Sequence, residues 1–203
     1  MKNKLPQNKK AIVWLCGGHF INDIYTGVLN PIMPFIAAKI GITMAIATII
    51  LTVSHIFSSL LQPLFGYFAD NIVKRSFIFW GLILSSIFIP LSALAHNPFI
   101  LVLFIIFGSI GSSLFHPQAL GFVSKFADKE NTGKAMAVFV AMGTLGYSFG
   151  PIISSAITQF LGMPRMPLMT ILGILWAFLM FAFVPKLSLS EPVISKIDFK
   201  TAF

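Results

Sequence analysis

The residues best able to do chemistry are one carboxylate and several imidazoles inside otherwise apolar stretches of the sequence. In the first stretch His19, Asn22 and Asp23 are three and four residues apart, which places them on one face of a helix. A rise of about 1.5 Å per residue puts Asp23 and His55 near the middle of their stretches, with His19 and His116 about one turn nearer to one end. We therefore predict that Asp23 and the three histidines meet in one cleft, beside Asn22. Such a group could take up and release a proton.

The composition indicates the surroundings of these residues. Of the 203 residues 57% are apolar and 10% are charged, whereas about 25% are charged in an ordinary soluble domain. A helix needs about 20 apolar residues to cross a bilayer, and six segments are long enough: 11–38, 45–69, 77–95, 99–123, 135–161 and 168–184. The sequence predicts an all-α integral membrane protein with a six-helix bundle over 11–184.

The basic residues predict the orientation of this bundle. Of the 14 Lys and Arg, 12 flank the spans on the side of the two termini, and only Lys39 and Arg165 lie on the other. The positive-inside rule then places the basic N-terminal segment (1–10) and residues 185–203 in the cytoplasm, with the spans in the inner membrane. Contact with anionic lipid explains the net charge of +8, so we expect a lipid bilayer and no nucleic acid as partner.

Asp23 is the only acidic residue within a predicted span. A charged aspartate at mid-membrane costs about 2.5–3.5 kcal/mol on insertion scales, and such residues are typical of proton pathways. Two other interpretations remain open: a structural aspartate bonded to the backbone, and a metal site of His19, Asp23 and His116. These residues lack the usual close spacing of metal ligands, so we predict no metal and no other cofactor. Since the sequence has no nucleophile with an adjacent base, we predict no catalytic residues and no enzyme.

Hydroxyl and amide side chains extend the polar faces of the first, second and fourth spans. Polar groups inside a membrane usually face a bundle interior or a wet cavity. We predict that the following residues line the cleft: Thr26, Asn30, Thr52, Ser59, Gln62, Ser109, Ser112 and Ser113. The alternative that the serines and threonines only bond helix to helix remains open. The third and sixth spans lack a polar stripe, which favours contact with lipid.

Two stretches resemble signatures of the major facilitator superfamily. Between the second and third spans, the loop carries Gly66, then Asp70 four residues later, then Lys74 and Arg75. This pattern is similar to the cytoplasmic gating loop of that superfamily. In the fifth span, the segment 146–151 (GYSFGP) resembles the motif of its antiporter branches. The helix-packing residues of that motif are Gly143, Gly146, Gly150 and Pro151.

Three further segments are similar to the fosmidomycin-resistance efflux proteins of this superfamily. They are 19–23 (HFIND), 58–63 (SSLLQP) and 111–117 (GSSLFHP). The resemblance implies a proton-coupled exporter of small molecules or antibiotics, with twelve helices in two halves. Each half holds two inverted three-helix repeats, and this chain is then the N-terminal half.

The resemblance also implies a partner. Asp70 and its basic neighbours would latch against a C-terminal six-helix half, which belongs either to the same full-length chain or to a second subunit. The alternative function is a non-transporting truncated remnant or an accessory membrane subunit.

Overall fold

The computed structural model describes residues 8–71 and 75–186, with side chains for all of these except 68–71. The described residues form six α-helices: α1 Lys9–Ile40, α2 Met44–Asn71, α3 Arg75–Leu91, α4 Pro98–Phe126, α5 Thr132–Phe160 and α6 Thr170–Phe183. Short 3₁₀ helices at Ser92–Leu94 and Met163–Met169 extend α3 and precede α6. Most of the predicted N-terminal segment (1–10) and central loop (185–203) lies outside the described residues.

The predicted six-helix, all-α architecture is confirmed, with helix ends within a few residues of those expected. Five helical segments are long and apolar enough to cross a membrane: Met44–Tyr67, Arg75–Leu94, Pro98–Phe126, Thr132–Phe160 and Met163–Phe183. The 32 residues of α1 exceed the length needed for a span. Its polar stripe, which includes Asn22 and Asp23, lowers its mean hydropathy relative to the other five.

The first helix lies at the centre of the bundle. It packs against α3, α4, α5 and α6, and side chains all along its length are buried, including Leu15, Ile24, Val28 and Ile36. Because α1 is surrounded, its polar residues meet other helices. This position brings Asp23 close to side chains of α4 and α5.

The contact between α1 and α5 is close enough to exclude side chains at the crossing. A Cβ on Gly146 would overlap the carbonyl of Phe20, and one on Gly150 would lie 2.8 Å from the Cα of Gly27. Rows of small residues permit such an approach of two helix backbones. The crossing fixes the position of α5 beside the polar face of α1.

The third helix differs from its expected environment. Its lack of a polar stripe predicts contact with lipid, but 56% of its span is buried, because it packs against α1, α4 and α6. The second helix is the most exposed of the five candidate spans, with 11% buried. Burial within these six helices therefore does not follow the polar stripes.

Candidate functional site

The carboxylate of Asp23 lies between two imidazoles that come from different helices. Oδ2 is 3.2 Å from Nε2 of His19, one turn earlier on α1. Oδ1 is 3.0 Å from Nε2 of His116 on α4. Side-chain exposure is 15% for Asp23, 7% for His19 and 25% for His116. We call these three residues the carboxylate–histidine cluster.

In both histidines the other ring nitrogen, Nδ1, is hydrogen-bonded to a backbone carbonyl. His19 Nδ1 donates to the carbonyl of Phe139 on α5 at 2.7 Å, and His116 Nδ1 donates to the carbonyl of Ser112 at 2.7 Å. Because a carbonyl oxygen only accepts hydrogen bonds, Nδ1 carries a hydrogen in both rings. The Nε2 atoms are therefore the ones that face Asp23.

Asn22 connects the cluster to two further helices. Its amide nitrogen donates to Asp23 Oδ1 at 3.0 Å and to the hydroxyl of Ser112 on α4 at 3.1 Å. Its amide oxygen accepts from the hydroxyl of Ser85 on α3 at 2.8 Å. Asn22 is fully buried, and buried polar groups are normally paired in this way. The amide ties α1, α3 and α4 together at the depth of Asp23.

The fifth helix closes one side of the cluster. A Cβ on Gly143 would overlap the ring of His19 and lie 2.8 Å from Asp23 Oδ2. Of the predicted packing residues, Gly146 and Gly150 contact the backbone of α1, whereas Gly143 lies against the cluster itself. Pro151 follows Gly150 within α5 and is partly buried.

On its other side the cluster opens into a cleft of about 210 Å³. Asp23 and His116 lie in the cleft wall. Several other predicted residues also line it: Thr26, His55, Ser59, Gln62, Ser109 and Ser112. His55 approaches from α2 and is exposed, while the ion pairs of Asp23 are made with the other two histidines.

Three predicted cleft residues lie elsewhere. Asn30 donates to the hydroxyl of Tyr147 at 3.1 Å, and Thr52 is exposed on α2. Ser113 is buried and hydrogen-bonded to Ser58, with 2.7 Å between the hydroxyl oxygens, so it joins α4 to α2. For Ser113, helix-to-helix bonding is the arrangement present.

The sequence analysis missed some cleft and cluster residues. Ser54, Ser58 and Tyr147 line the cleft, and Ser85 bonds Asn22. Ser85 belongs to a buried Ser-Ser pair in the otherwise apolar α3, which was the available signal. The carbonyl of Phe139 belongs to the backbone, so no pattern of side chains in the sequence indicates its contact with His19.

The predicted gating loop is described in part. Gly66 lies near Pro117 of α4, whose Cβ is 3.8 Å from an added Cβ. The side chain of Asp70 and all of Lys74 are outside the described residues. Arg75 donates to the carbonyl of Val184 at 2.8 Å, and its guanidinium lies 4.2 Å from the ring centroid of Phe181. Arg75 therefore binds the end of α6 within this six-helix unit.

The cluster also has the spacing of a metal-ligand set. One ligand atom from each of His19, Asp23 and His116 lies within 4.8 Å of the others. A structural zinc site takes four protein ligands and a catalytic one takes three, so the number of ligands alone does not decide. The contacts of 3.0 and 3.2 Å are those of hydrogen bonds. We treat the cluster as hydrogen-bonded, and the absence of a metal remains a prediction.

Comparison with known proteins identifies the family. Residues 15–199 match the family model of the Major Facilitator Superfamily. The chain belongs to the major facilitator superfamily. It is therefore a multi-pass membrane protein of a transporter family, and the predicted resemblance is confirmed.

Two curated relatives illustrate the range of the family. The chain is 27% identical over 188 residues to the riboflavin transporter RibZ of Clostridioides difficile, covering 92% of this chain and 41% of that protein. It is 31% identical over 140 residues to the fosmidomycin resistance protein of Escherichia coli, covering 68% of this chain and 34% of that protein. The chain thus spans well under half the length of these relatives.

A solved structure has the same fold. It is a crystal structure of the peptide transporter POT in complex with sulfate, with a TM-score of 0.72 and 16% sequence identity. The match covers 87% of this chain and 39% of the other. The six helices correspond to the N-terminal half of a major facilitator fold, as the sequence predicts.

Proposed function

We propose that this chain is the N-terminal half of a proton-coupled exporter of small molecules, in which Asp23 and its two histidine partners bind and release the coupling proton. The observation that carries the proposal is the carboxylate–histidine cluster in the wall of a polar cleft. Asp23 lies within an apolar bundle, contacts imidazoles on two helices, and borders the cleft. Ionisable groups in such positions typically form proton relays.

The helices that hold the cluster are suited to coupling. His19 and Asp23 lie on α1 and His116 lies on α4, and these helices begin the two three-helix repeats of the half. A change in the protonation of the cluster therefore alters a bond between the two repeats. One charge moved through 100 mV supplies about 2.3 kcal/mol, which corresponds to a concentration ratio of roughly 50-fold.

The orientation in the membrane and a C-terminal half are part of the proposal. We infer that the helices cross the inner membrane with both termini in the cytoplasm, because most of the basic residues flank the spans on the side of the termini. We also infer that a C-terminal six-helix half covers the open side of the cleft. Large apolar side chains on α2 and α5 are exposed in this unit, as such an interface needs: Ile49, Val53, Leu60, Val140 and Ile152.

The chemistry of the cleft limits the substrate. Its described lining offers hydroxyls, an amide and imidazoles, with Asp23 as its carboxylate and neither Lys nor Arg. A small molecule rich in hydrogen-bonding groups fits this lining. The relatives of this chain include proteins for fosmidomycin resistance and riboflavin transport. We therefore propose antibiotics and similar metabolites as the substrates to screen.

The deciding experiment replaces Asp23 in the full-length protein. Inverted membrane vesicles with Asp23→Asn are expected to lose the uptake of substrate that follows an imposed pH gradient, with normal amounts of protein in the membrane. Glu130→Gln is the matched control, since this exposed carboxylate lies in the turn before α5. Uptake by Asp23→Asn equal to that of the control would contradict the proposal.

A further inference from the structure

The carboxylate–histidine cluster contains two contacts between an imidazole and Asp23, and each of them requires a hydrogen. Both Nδ1 atoms carry hydrogens that point to the carbonyls of Phe139 and Ser112. If the Nε2 atoms were bare, each would direct a lone pair at a carboxylate oxygen 3.0 or 3.2 Å away. Two acceptors at that distance repel, so each contact needs a hydrogen of its own.

We infer that the cluster holds two exchangeable protons in the described geometry, and that His116 is the member that releases one to the cleft. The relevance of this release to transport depends on the proposed function. With two imidazolium rings and one carboxylate, the cluster carries a net charge of +1. When the Nε2 proton of His116 passes to water in the cleft, the ring becomes neutral and the cluster carries no net charge.

The two histidines differ in their access to water. His19 is 7% exposed, its ring stacks on that of Phe139 at 4.0 Å between centroids, and Gly143 of α5 lies against it. His116 is 25% exposed and lines the cleft. A proton that passes from the cluster to water in the cleft therefore departs from His116.

Loss of that proton changes how two helices are joined. Nδ1 of His116 stays bonded to Ser112 on its own helix, so the neutral ring presents a lone pair to Asp23 and the contact between His116 and Asp23 opens, while Asn22 of α1 keeps its bond to Ser112 of α4. Asp23 Oδ1 keeps the hydrogen bond from Asn22, and Oδ2 keeps His19. The carboxylate remains ionised and keeps two hydrogen-bond donors. The number of protons in the cluster therefore determines whether His116 is hydrogen-bonded to Asp23 of α1.

The surrounding elements supply few other titratable groups. His55 of α2 and Tyr147 of α5 line the cleft with Asp23 and His116. From α3 the neighbour is the hydroxyl of Ser85, which bonds Asn22. The charge of the cluster is thus set by its own three members, with His55 as the nearest independent imidazole across the cleft.

The proton positions can be measured by ¹⁵N NMR of the imidazoles. The chain has four histidines, and the variants His55→Gln and His96→Gln assign two signals while leaving the cluster intact. An inert gadolinium chelate in the buffer then separates the other two, because it broadens the more exposed His116 more strongly. The full chain is labelled with ¹⁵N-histidine and reconstituted in lipid nanodiscs.

We expect both cluster rings to be imidazolium at low pH. As the pH rises, His116 is expected to lose its proton first and to become the neutral form with hydrogen on Nδ1. In Asp23→Asn the ¹⁵N signals of both cluster rings are expected to change, because both rings contact this carboxylate in the unmodified chain. A neutral His116 with hydrogen on Nε2, or release from His19 first, would overturn the inference.

This measurement needs no substrate, so its failure is distinct from failure of the proposed function. The expected NMR pattern with unaffected export in Asp23→Asn would refute the transport role and leave the two-proton cluster standing. Loss of export with a single proton in the cluster would refute only the inference.

Discussion

The hydroxyl of Ser85 donates to the amide oxygen of Asn22 at 2.8 Å, although the two residues are 63 positions apart. This bond joins α3 to the residue beside Asp23, and Asn22 in turn donates to Asp23 and Ser112. The buried amide therefore orients the carboxylate with respect to two other helices.

Replacement of Asn22 by Ala should destabilise the bundle. It leaves Ser85, Ser112 and Asp23 each short of a partner, and a buried polar group without its hydrogen bond costs about 1–3 kcal/mol. Thermal unfolding in nanodiscs is expected to begin at clearly lower temperature than for the unmodified chain. Asn30→Ala is the control, since that residue is exposed and its amide nitrogen donates to the hydroxyl of Tyr147. Equal shifts for the two variants would argue against a buried network at Asn22.

Replacement of Gly143 by Ala should disrupt the cluster. The new methyl group would overlap the ring of His19 and approach Asp23, so either the ring moves or α5 separates from α1. We expect loss of export together with a changed ¹⁵N signal for His19. The control is Gly121→Ala on α4, where an added Cβ would have no atom within 4 Å among the described residues outside its own stretch of helix. Because Ala favours helix over Gly by about 0.8–1.0 kcal/mol, this control should fold at least as well. An unchanged His19 signal in Gly143→Ala would contradict the geometry.

Arg75 should resist replacement by Lys. Its planar guanidinium lies over Phe181 and also donates to the carbonyl of Val184, and Lys cannot reproduce that combination. A cation–π contact of this kind is worth about 0.5–2 kcal/mol. We expect Arg75→Lys to lower the unfolding temperature and Arg165→Lys, at an exposed position, to leave it unchanged. If both variants behave alike, the contact with α6 adds no stability.

The orientation can be tested with single cysteines. The chain has one cysteine, Cys16, and it is buried, so the unmodified protein should react little with an impermeant maleimide. In intact cells we expect Arg165→Cys to be labelled, and Glu130→Cys to be labelled only after the membrane is opened. The reason is the excess of basic residues on the side of Glu130. Labelling in the reverse order would show that the bundle is inserted the other way.

The fold and part of the site follow from the sequence. Long apolar runs predict the six helices, and the spacing of His19 and Asp23 predicts their contact because four residues make about one helical turn. Counting residues along the spans gives the depth of His116 and His55. Depth does not give the rotation of a helix about its axis, and therefore it did not distinguish His116, which reaches Asp23, from His55, which lies across the cleft. The bond from Ser85 depends on how α3 packs, which no local pattern encodes.

The acceptor for His19 is a main-chain oxygen, that of Phe139. Every amino acid at that position would supply the same oxygen, so a survey that exchanges each side chain in turn would detect His19 and Asp23 but would not reveal the hydrogen bond that this oxygen accepts. An ester linkage in place of the following amide would weaken this acceptor while leaving the phenyl ring intact. The genetic record of such a site will consequently understate how many hydrogen bonds orient its side chains.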